Sequence, residues 1–198
     1  MNKYTITITR QFGSLGRPIA RAMSEILGID YYDRTIVDAA AKIMSLPVST
    51  VSDVEEAAKR NFFSMQFPLG RGTSEIQDKV FETQKEIIFD LAQRESCIIV
   101  GRCSDYVLEG MENLLNIYIY APYEARLDNC IKTLRMDPEV AQKMITEVDK
   151  ARDAYHMNYA KYLPSDIEHK DILIDSSILG VEGTAEYLAE LVNRKFLL

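Results

Sequence analysis

The sequence lacks the features that mark disulfide-rich, zinc-binding or membrane proteins. Its three cysteines, Cys97, Cys103 and Cys130, are odd in number and have no Cys-x-x-Cys spacing, so neither a disulfide framework nor a zinc site is expected. No apolar run approaches the roughly 18 residues that a membrane span requires. These absences predict a soluble, cytoplasmic protein that does not enter a membrane.

Positive charge is also scarce. The 198 residues include 23 Lys or Arg and 30 Asp or Glu, which gives a net charge of -7. Because nucleic acid polymers and anionic membranes attract basic surfaces, neither is expected as a partner. Hydrophobic residues form 47% of the chain, which is enough for one well-buried core and predicts a single domain over residues 1–198.

Apolar segments alternate with helical patterns along the chain. Strands are predicted near residues 4–9, 29–32, 97–100, 114–120 and 172–174. Helices are predicted near 18–27, 34–43, 49–61, 74–94, 124–134, 138–162 and 181–196. This alternation predicts an α/β fold, in which helices cover both faces of a five-stranded parallel sheet.

The turn after the first strand has the order of a phosphate-binding loop, with a strand, a glycine-bearing turn and then a helix. Gly13 and Gly16 lie three residues apart and Arg17 follows, but no Gly-Lys-Ser/Thr is present. Backbone N–H groups in such a turn, together with a helix N-terminus, attract anions. The alternative is a tight turn that binds nothing.

Charged or polar residues follow three other predicted strands. These are Asp33-Arg34, Gly101-Arg102 and Asp175-Ser176-Ser177. Ligands bind beyond the carboxyl ends of parallel strands, and arginine can donate two hydrogen bonds to one phosphate. Arg102 could instead form a structural ion pair, and Asp33 could simply cap the helix that begins at Arg34.

The long helix predicted after Asp137-Pro138 carries a second set of candidates. Asp149, Arg152 and Tyr155 recur every three residues and therefore share one face. They are either ligand-binding residues or solvated helix charges. His156 has no sequence neighbour that suggests a base or a metal ligand, so it is expected to be a surface or structural residue.

The segment between the third and fourth predicted helices contains three phenylalanines, Phe62, Phe63 and Phe67. Such an apolar group, close to glycine and proline, is typical of a homodimer contact or of a loop that covers the core. Both interpretations stay open at this point.

Five segments, taken in order, resemble the cytidylate kinase-like family, a divergent branch of the P-loop nucleoside monophosphate kinases. They are Ile6-Thr7-Ile8, Gly13–Arg17, Tyr31–Arg34, Ile98–Arg102 and Asp149–Tyr155. The resemblance extends over nearly the whole chain. It implies a three-layer P-loop NTPase-like fold with a helical acceptor-binding subdomain at about 34–95 and a lid at about 132–155.

The resemblance also implies roles for particular residues, with ATP and Mg²⁺ as cofactors and a nucleotide or another small molecule as acceptor. The residues that would hold the ATP phosphates are Gly13, Ser14, Leu15, Gly16 and Arg17. The catalytic residues would be Arg17, Arg135 and Arg152, and the acceptor would contact Asp33, Arg34, Arg102 and Asp149.

The loop departs from the family pattern at its lysine. Counting without gaps puts Gly16 opposite that lysine, whereas a shift by one residue puts Arg17 there and Pro18 opposite the magnesium-binding Ser/Thr. Ser14 is the remaining hydroxyl, so the metal ligands are left unassigned. Two functions follow: transfer of the ATP γ-phosphate to CMP, dCMP or another small acceptor, or nucleotide binding without catalysis in a regulatory protein.

Overall fold

The computed structural model describes residues 3–46, 48 and 72–197. The predicted helix at 49–61 and the group formed by Phe62, Phe63 and Phe67 lie outside the described residues. The homodimer contact and the division into subdomains therefore stay predictions.

Five strands form one parallel sheet. They are β1 (Thr5–Arg10), β2 (Asp30–Tyr32), β3 (Cys97–Val100), β4 (Leu114–Tyr120) and β5 (Ile172–Asp175). The strand order is β2-β3-β1-β4-β5, and Ile8 lies beside Val100 of β3 and Ile117 of β4. Strand β1 is therefore central, and the turn that follows it opens at the middle of the sheet edge.

The described helices alternate with these strands. They are α1 (Gly16–Leu27), α2 (Arg34–Ile43), α3 (Gly72–Arg94), α4 (Ser104–Val107), α5 (Tyr123–Asp128), α6 (Pro138–Tyr159) and α7 (Gly180–Phe196). A π-helical turn, Asn129–Thr133, continues α5, and a 3₁₀ turn, Ile167–His169, precedes β5. None of the helices in the described parts of the chain is both long and apolar enough to span a bilayer.

Each face of the sheet has its own core. On one face Ile6, Ile8 and Ile98 pack with Met23 of α1 and Leu188 of α7. On the other face the core is formed by Ile99 of β3 with residues of α2 and α3 and with the residue after α4, namely Ile36, Ile88, Leu91 and Leu108. All four residues of β3 are buried, as expected for a strand covered on both sides. The predicted three-layer α/β fold is confirmed.

The predicted and observed helix ends differ where the backbone takes an unusual conformation. The helix predicted to reach residue 162 ends at Tyr159, because Lys161 has a φ of 69°, which is incompatible with a right-handed helix. The helix predicted over 124–134 changes to π-helical hydrogen bonding at Asn129. Asn129 Nδ2 donates a hydrogen bond of 2.9 Å to the Gly13 carbonyl. The π-helical turn therefore lies beside the loop between β1 and α1, which is called the first loop below.

Candidate functional site

The turn between β1 and α1 is held in a fixed shape by its own buried groups. Gly13 has a φ of 80° and Leu15 a φ of 57°. A Cβ atom on Gly13 would lie 2.8 Å from the Arg126 carbonyl oxygen, so only glycine fits there. The buried Ser14 hydroxyl is within hydrogen-bond distance of the Gln11 and Ile119 carbonyls, at 2.9 and 3.2 Å.

The same turn is tied to α6 and to the strands behind it. Asp149 accepts a hydrogen bond of 2.7 Å from the Phe12 backbone N–H and also pairs with Arg126. The Ser176 hydroxyl donates to the Ser14 carbonyl at 2.7 Å. Asp149 therefore positions the turn between β1 and α1. It does not line the arginine-rich cavity described next. The sequence analysis missed Arg126, because nothing in the sequence pattern around this helical arginine indicates that it is buried.

A cavity of about 290 Å³ opens beyond the carboxyl ends of β1 and β3. Five arginines line it, four from different helices and strands and one from the turn after β3: Arg10, Arg17, Arg34, Arg152 and Arg102. Asp33 is the single carboxylate among the lining residues in the described part of the chain. The structure thus brings together Arg17, Asp33, Arg34, Arg102 and Arg152, which the sequence proposed as site residues, and adds Arg10.

Asp33 connects these arginines and does not cap α2. Its side chain makes no capping hydrogen bond; one oxygen pairs with Arg17 Nε, and the other lies 3.6 Å from Arg10 Nη2. The alternative that Asp33 is only a helix cap is therefore wrong, because two nearby guanidinium groups attract the carboxylate more strongly than the backbone N–H groups do. Asp33 is buried, at 5% exposure, and it partly neutralises the cavity.

Arg10 is the most deeply placed of the cations. Burial, together with the positive charges of Arg152, Arg102 and Arg17, lowers the pKa of Arg10 to about 9, although Asp33 opposes this shift. The sequence analysis took residue 10 as the end of a strand. The same signal that selected Arg102, an arginine where a buried strand ends, would have found it.

Arg152 reaches the cavity from α6. Its Nη1 donates a hydrogen bond of 2.9 Å to the Arg10 carbonyl, and its guanidinium carbon lies 6.0 Å from the Phe12 ring centre. Burial lowers the pKa of Arg152, with the charges of Arg102 and Arg17 acting in the same direction. Tyr155 of the same helix also lines the cavity, as the three-residue spacing predicted.

Two other sets of sequence candidates lie elsewhere. Arg135 is exposed, with a φ of 57°, and does not line the cavity, so its catalytic role stays a prediction. Ser176 and Ser177 instead line a separate cavity of about 220 Å³, beside Leu15 and Asn129. The residues after β5 therefore adjoin the other side of the first loop.

Of the two alternatives that the sequence left for His156, surface or structural, the structure shows the structural one, with partners that lie far away in the sequence. It is buried at 3% exposure, and its Nε2 lies 3.0 Å from Asp105 Oδ1, while its Nδ1 lies 2.9 Å from the Tyr162 carbonyl. Asp105 also pairs with Lys170. Sequence spacing could not reveal this cluster, because its members are 51 and 65 residues apart.

The cavity has the chemistry of an oxyanion site. Guanidinium groups bind phosphate through charge-assisted hydrogen bonds, and five of them accompany one carboxylate among the cavity residues that the structure describes. These groups and the loop beside them fit the phosphates of ATP. A protein-held Mg²⁺ fits less well: the Ser14 hydroxyl is committed to backbone carbonyls, and the described residues include no group of three or more His, Cys, Asp or Glu able to hold a metal.

A family model decides the classification. Residues 5–178 match the model of the cytidylate kinase-like family. The chain belongs to the cytidylate kinase-like family. The resemblance proposed from the five sequence segments is thereby confirmed. A comparison with curated proteins finds no match.

Solved structures agree with this family's fold. An uncharacterized protein from Eubacterium ventriosum ATCC 27560 is similar with a TM-score of 0.70 and 21% identity, covering 96% of this chain and 99% of that one. Shikimate kinase from Acinetobacter baumannii, in complex with shikimate, gives a TM-score of 0.53 and 12% identity over 100% and 97%. A gluconokinase from Sinorhizobium meliloti 1021 gives 0.51 and 14% over 98% and 97%.

These structural likenesses show the fold, which is that of the P-loop kinases. Together with membership of the cytidylate kinase-like family, the fold supports a phosphotransferase in general. Nucleotide binding by the β1–α1 turn is consistent with both.

Proposed function

We propose that the protein is an ATP-dependent phosphotransferase that transfers the γ-phosphate to CMP, dCMP or another small acceptor. The observation that carries the proposal is the convergence of five arginines on one cavity beside the first loop. Phosphoryl transfer depends on positioning and on electrostatic stabilisation of the phosphate oxygens. Arginines from several elements supply both.

The donor would bind at the β1–α1 turn. The backbone N–H groups at the start of α1 form an anion site, and the positive φ of Leu15 shapes the turn that precedes it. ATP supplies the phosphoryl group when it is bound. Asp149 keeps the turn in place through its hydrogen bond with the Phe12 N–H.

The acceptor phosphate would bind at the end of β3. Arg102 follows Gly101 directly and faces the cavity together with Arg34 from the start of α2. A planar guanidinium can bind two phosphate oxygens at once. Arg152, anchored to the Arg10 carbonyl, is close enough to the loop to stabilise charge on the group in transfer.

One observation favours the second candidate, a nucleotide-binding protein without catalysis. The guanidinium of Arg17 pairs with Asp33, so the first basic residue after the loop is engaged on the acceptor side. In that function the cavity would bind an anion as a signal, and no product would form.

The experiment is product detection after incubation of the purified protein with Mg-ATP and each nucleoside monophosphate in turn. Both ADP and the new diphosphate are measured. We expect CDP or dCDP from the wild type and a rate about 100-fold or more lower from Arg152→Met. The control is Arg194→Met, which removes the same charge from an exposed position on α7.

The two functions give different results in this assay. CDP or dCDP that depends on Arg152 supports the kinase. If no acceptor yields a diphosphate while ATP still raises the unfolding temperature, the non-catalytic nucleotide-binding function is the better description. ADP without a new diphosphate would contradict the proposed nucleotide acceptors.

A further inference from the structure

Arg10 and Gly16 exchange the residue types of the usual phosphate-binding loop. In the pattern Gly-x-x-x-x-Gly-Lys, the first glycine precedes the lysine by six positions. When Gly16 stands opposite the lysine, Arg10 stands opposite that first glycine and Leu15 opposite the second. Leu15 has a φ of 57°, the left-handed conformation that glycine adopts most easily. The backbone therefore favours this register over the one that places Arg17 opposite the lysine.

The two exchanged residues are in direct contact. A Cβ atom on Gly16 would lie 2.8 Å from Arg10 Cβ and 2.9 Å from Arg10 Cγ. Any side chain at residue 16 would therefore displace the stem of Arg10. A glycine at residue 16 is required for Arg10, just as a glycine at residue 10 would make room for a lysine at residue 16.

A second glycine clears the path of the Arg10 guanidinium. A Cβ atom on Gly101 would overlap Arg10 Nη1, and the φ of Gly101 is 80°. The Arg10 side chain thus leaves β1, passes Gly16 and ends beside Gly101, on the wall of the cavity. Two positions without side chains accommodate one buried arginine.

The charge around Arg10 calls for an anion. Its side chain is 12% exposed, and its ion-pair partner among the described residues is Asp33, at 3.6 Å. Arg17 shares this same carboxylate, while Arg102 and Arg152 add further positive charge nearby. A buried cation is costly unless it is paired. A bound polyphosphate would supply the negative charge that Asp33 alone does not.

We propose, on the basis of the phosphotransferase function above, that Arg10 is the phosphate-binding cation of this loop. It would contact the terminal phosphates of the nucleoside triphosphate from the end of β1, replacing a lysine that would reach them from the start of α1. The loop has therefore kept its cation and moved it to another element.

The test transfers the cation back to α1. Four variants are made: Arg10→Met, Arg10→Gly, Gly16→Lys and the double variant Arg10→Gly/Gly16→Lys. ATP affinity is measured by calorimetry, with inorganic pyrophosphate as a second probe. Arg10→Met keeps an unbranched stem against Gly16 and removes only the charge. The matched control is Arg21→Met, which removes a charge from the exposed face of α1.

We expect Arg10→Met and Arg10→Gly to weaken ATP binding at least tenfold and Arg21→Met to leave it unchanged. The double variant should recover ATP affinity to within about threefold of the wild type. Gly16→Lys alone should bind ATP no better than the wild type, because Arg10 Cβ occupies the space. Recovery of ATP affinity in the double variant would show that the cation can be moved between residues 10 and 16. A general effect of lost charge would not produce this recovery.

Three results would overturn the proposal. They are unchanged ATP affinity in Arg10→Met, a folded double variant that binds no better than Arg10→Gly, or a wild type that binds neither ATP nor pyrophosphate. If the double variant does not fold, Arg10→Met decides the outcome. Because binding is measured without turnover, a protein that binds ATP through Arg10 but phosphorylates no acceptor would contradict only the proposed function.

Discussion

Two charge clusters flank α6, and they differ in the balance of charge among the described residues. In the first, Asp105 is bound by His156, Lys170 and the Tyr162 hydroxyl, and the Lys170 side chain is fully buried. In the second, Asp33 is shared by Arg10 and Arg17 while further arginines face the same cavity. The first cluster is closed, and the second opens to a cavity where arginines outnumber the carboxylate among the described lining residues.

The difference separates charges that serve the fold from charges that serve a ligand. In the closed cluster, each ring nitrogen of His156 faces an oxygen, and Asp105 receives several donors. Such hydrogen bonds offset the free-energy cost of removing these charges from water. Among the described residues that line the cavity, five arginines face one carboxylate, so a bound anion would add the negative charge that favours this arrangement. Adjacent residues of α6, Tyr155 and His156, line the same cavity wall, so the closed cluster anchors the helix that carries Arg152.

The largest effect is expected from breaking the closed cluster. Asp105→Asn should lower the free energy of unfolding by about 3–5 kcal/mol, because Lys170 and His156 lose their buried carboxylate. Urea denaturation measures this loss. The control, Asp128→Asn, removes a carboxylate from the exposed pair with Lys132 and should change stability by less than about 0.5 kcal/mol. Equal losses in both variants would contradict the distinction between the clusters.

The corresponding change in the cavity should affect binding more than stability. Arg102→Met should raise the Michaelis constant for the acceptor by roughly 10- to 100-fold, as expected for one lost charge-assisted hydrogen bond of about 1.5–3 kcal/mol. Steady-state kinetics with varied acceptor, at saturating ATP, measures it. The urea midpoint should stay close to that of the wild type. If Arg102→Met loses stability but keeps the wild-type Michaelis constant for the acceptor, then Arg102 serves the fold and does not bind the acceptor.

The pH dependence of the closed cluster gives a third comparison. Burial alone would raise the pKa of Asp105, but the His156 hydrogen bond and the Lys170 charge outweigh it and lower the pKa from 3.8 to about 2. A lowered pKa contributes stability above the unfolded value, and this contribution is lost as pH falls through the folded value. About 2 kcal/mol should therefore be lost between roughly pH 4 and pH 2. The Asp105 carboxyl ¹³C resonance should not titrate above pH 3, and a midpoint near pH 4 would contradict the cluster's pairing.

The sequence predicted the fold well because hydrophobic periodicity is local. Strands β3 and β4 and helix α2 begin and end where the apolar pattern and its flanking residues placed them. The candidate site was predicted in part: residues that directly follow strands, such as Arg102, lie at the cavity because parallel strands end at one edge.

The parts that the sequence could not predict depend on contacts between distant segments. From the sequence, Asp33 could be either a helix cap or a site residue, and only the approach of Arg10 and Arg17 shows why its carboxylate turns away from the helix. The pairing of Asp105 with Lys170 joins residues 65 positions apart. The contact of Arg10 with Gly16 depends on the shape of the turn between them, and no spacing rule describes it.

The smallest expected effect is a change of about 1 kcal/mol in the free energy of unfolding when Asp33 is neutralised. It tests whether the Asp33 carboxylate serves the fold or occupies the position of an anionic ligand. Asp33→Asn removes the one carboxylate among the described residues that line the cavity, so repulsion among the arginines should lower stability at low salt. Inorganic phosphate should restore that stability and should bind the variant several-fold more tightly than the wild type, because it no longer competes with Asp33. Thermal unfolding in a phosphate titration measures both effects, with Asp105→Asn as the comparison, since phosphate cannot enter a closed cluster. If phosphate stabilises the two variants equally, or binds Asp33→Asn no better than the wild type, then Asp33 is not occupying the position of an anionic ligand.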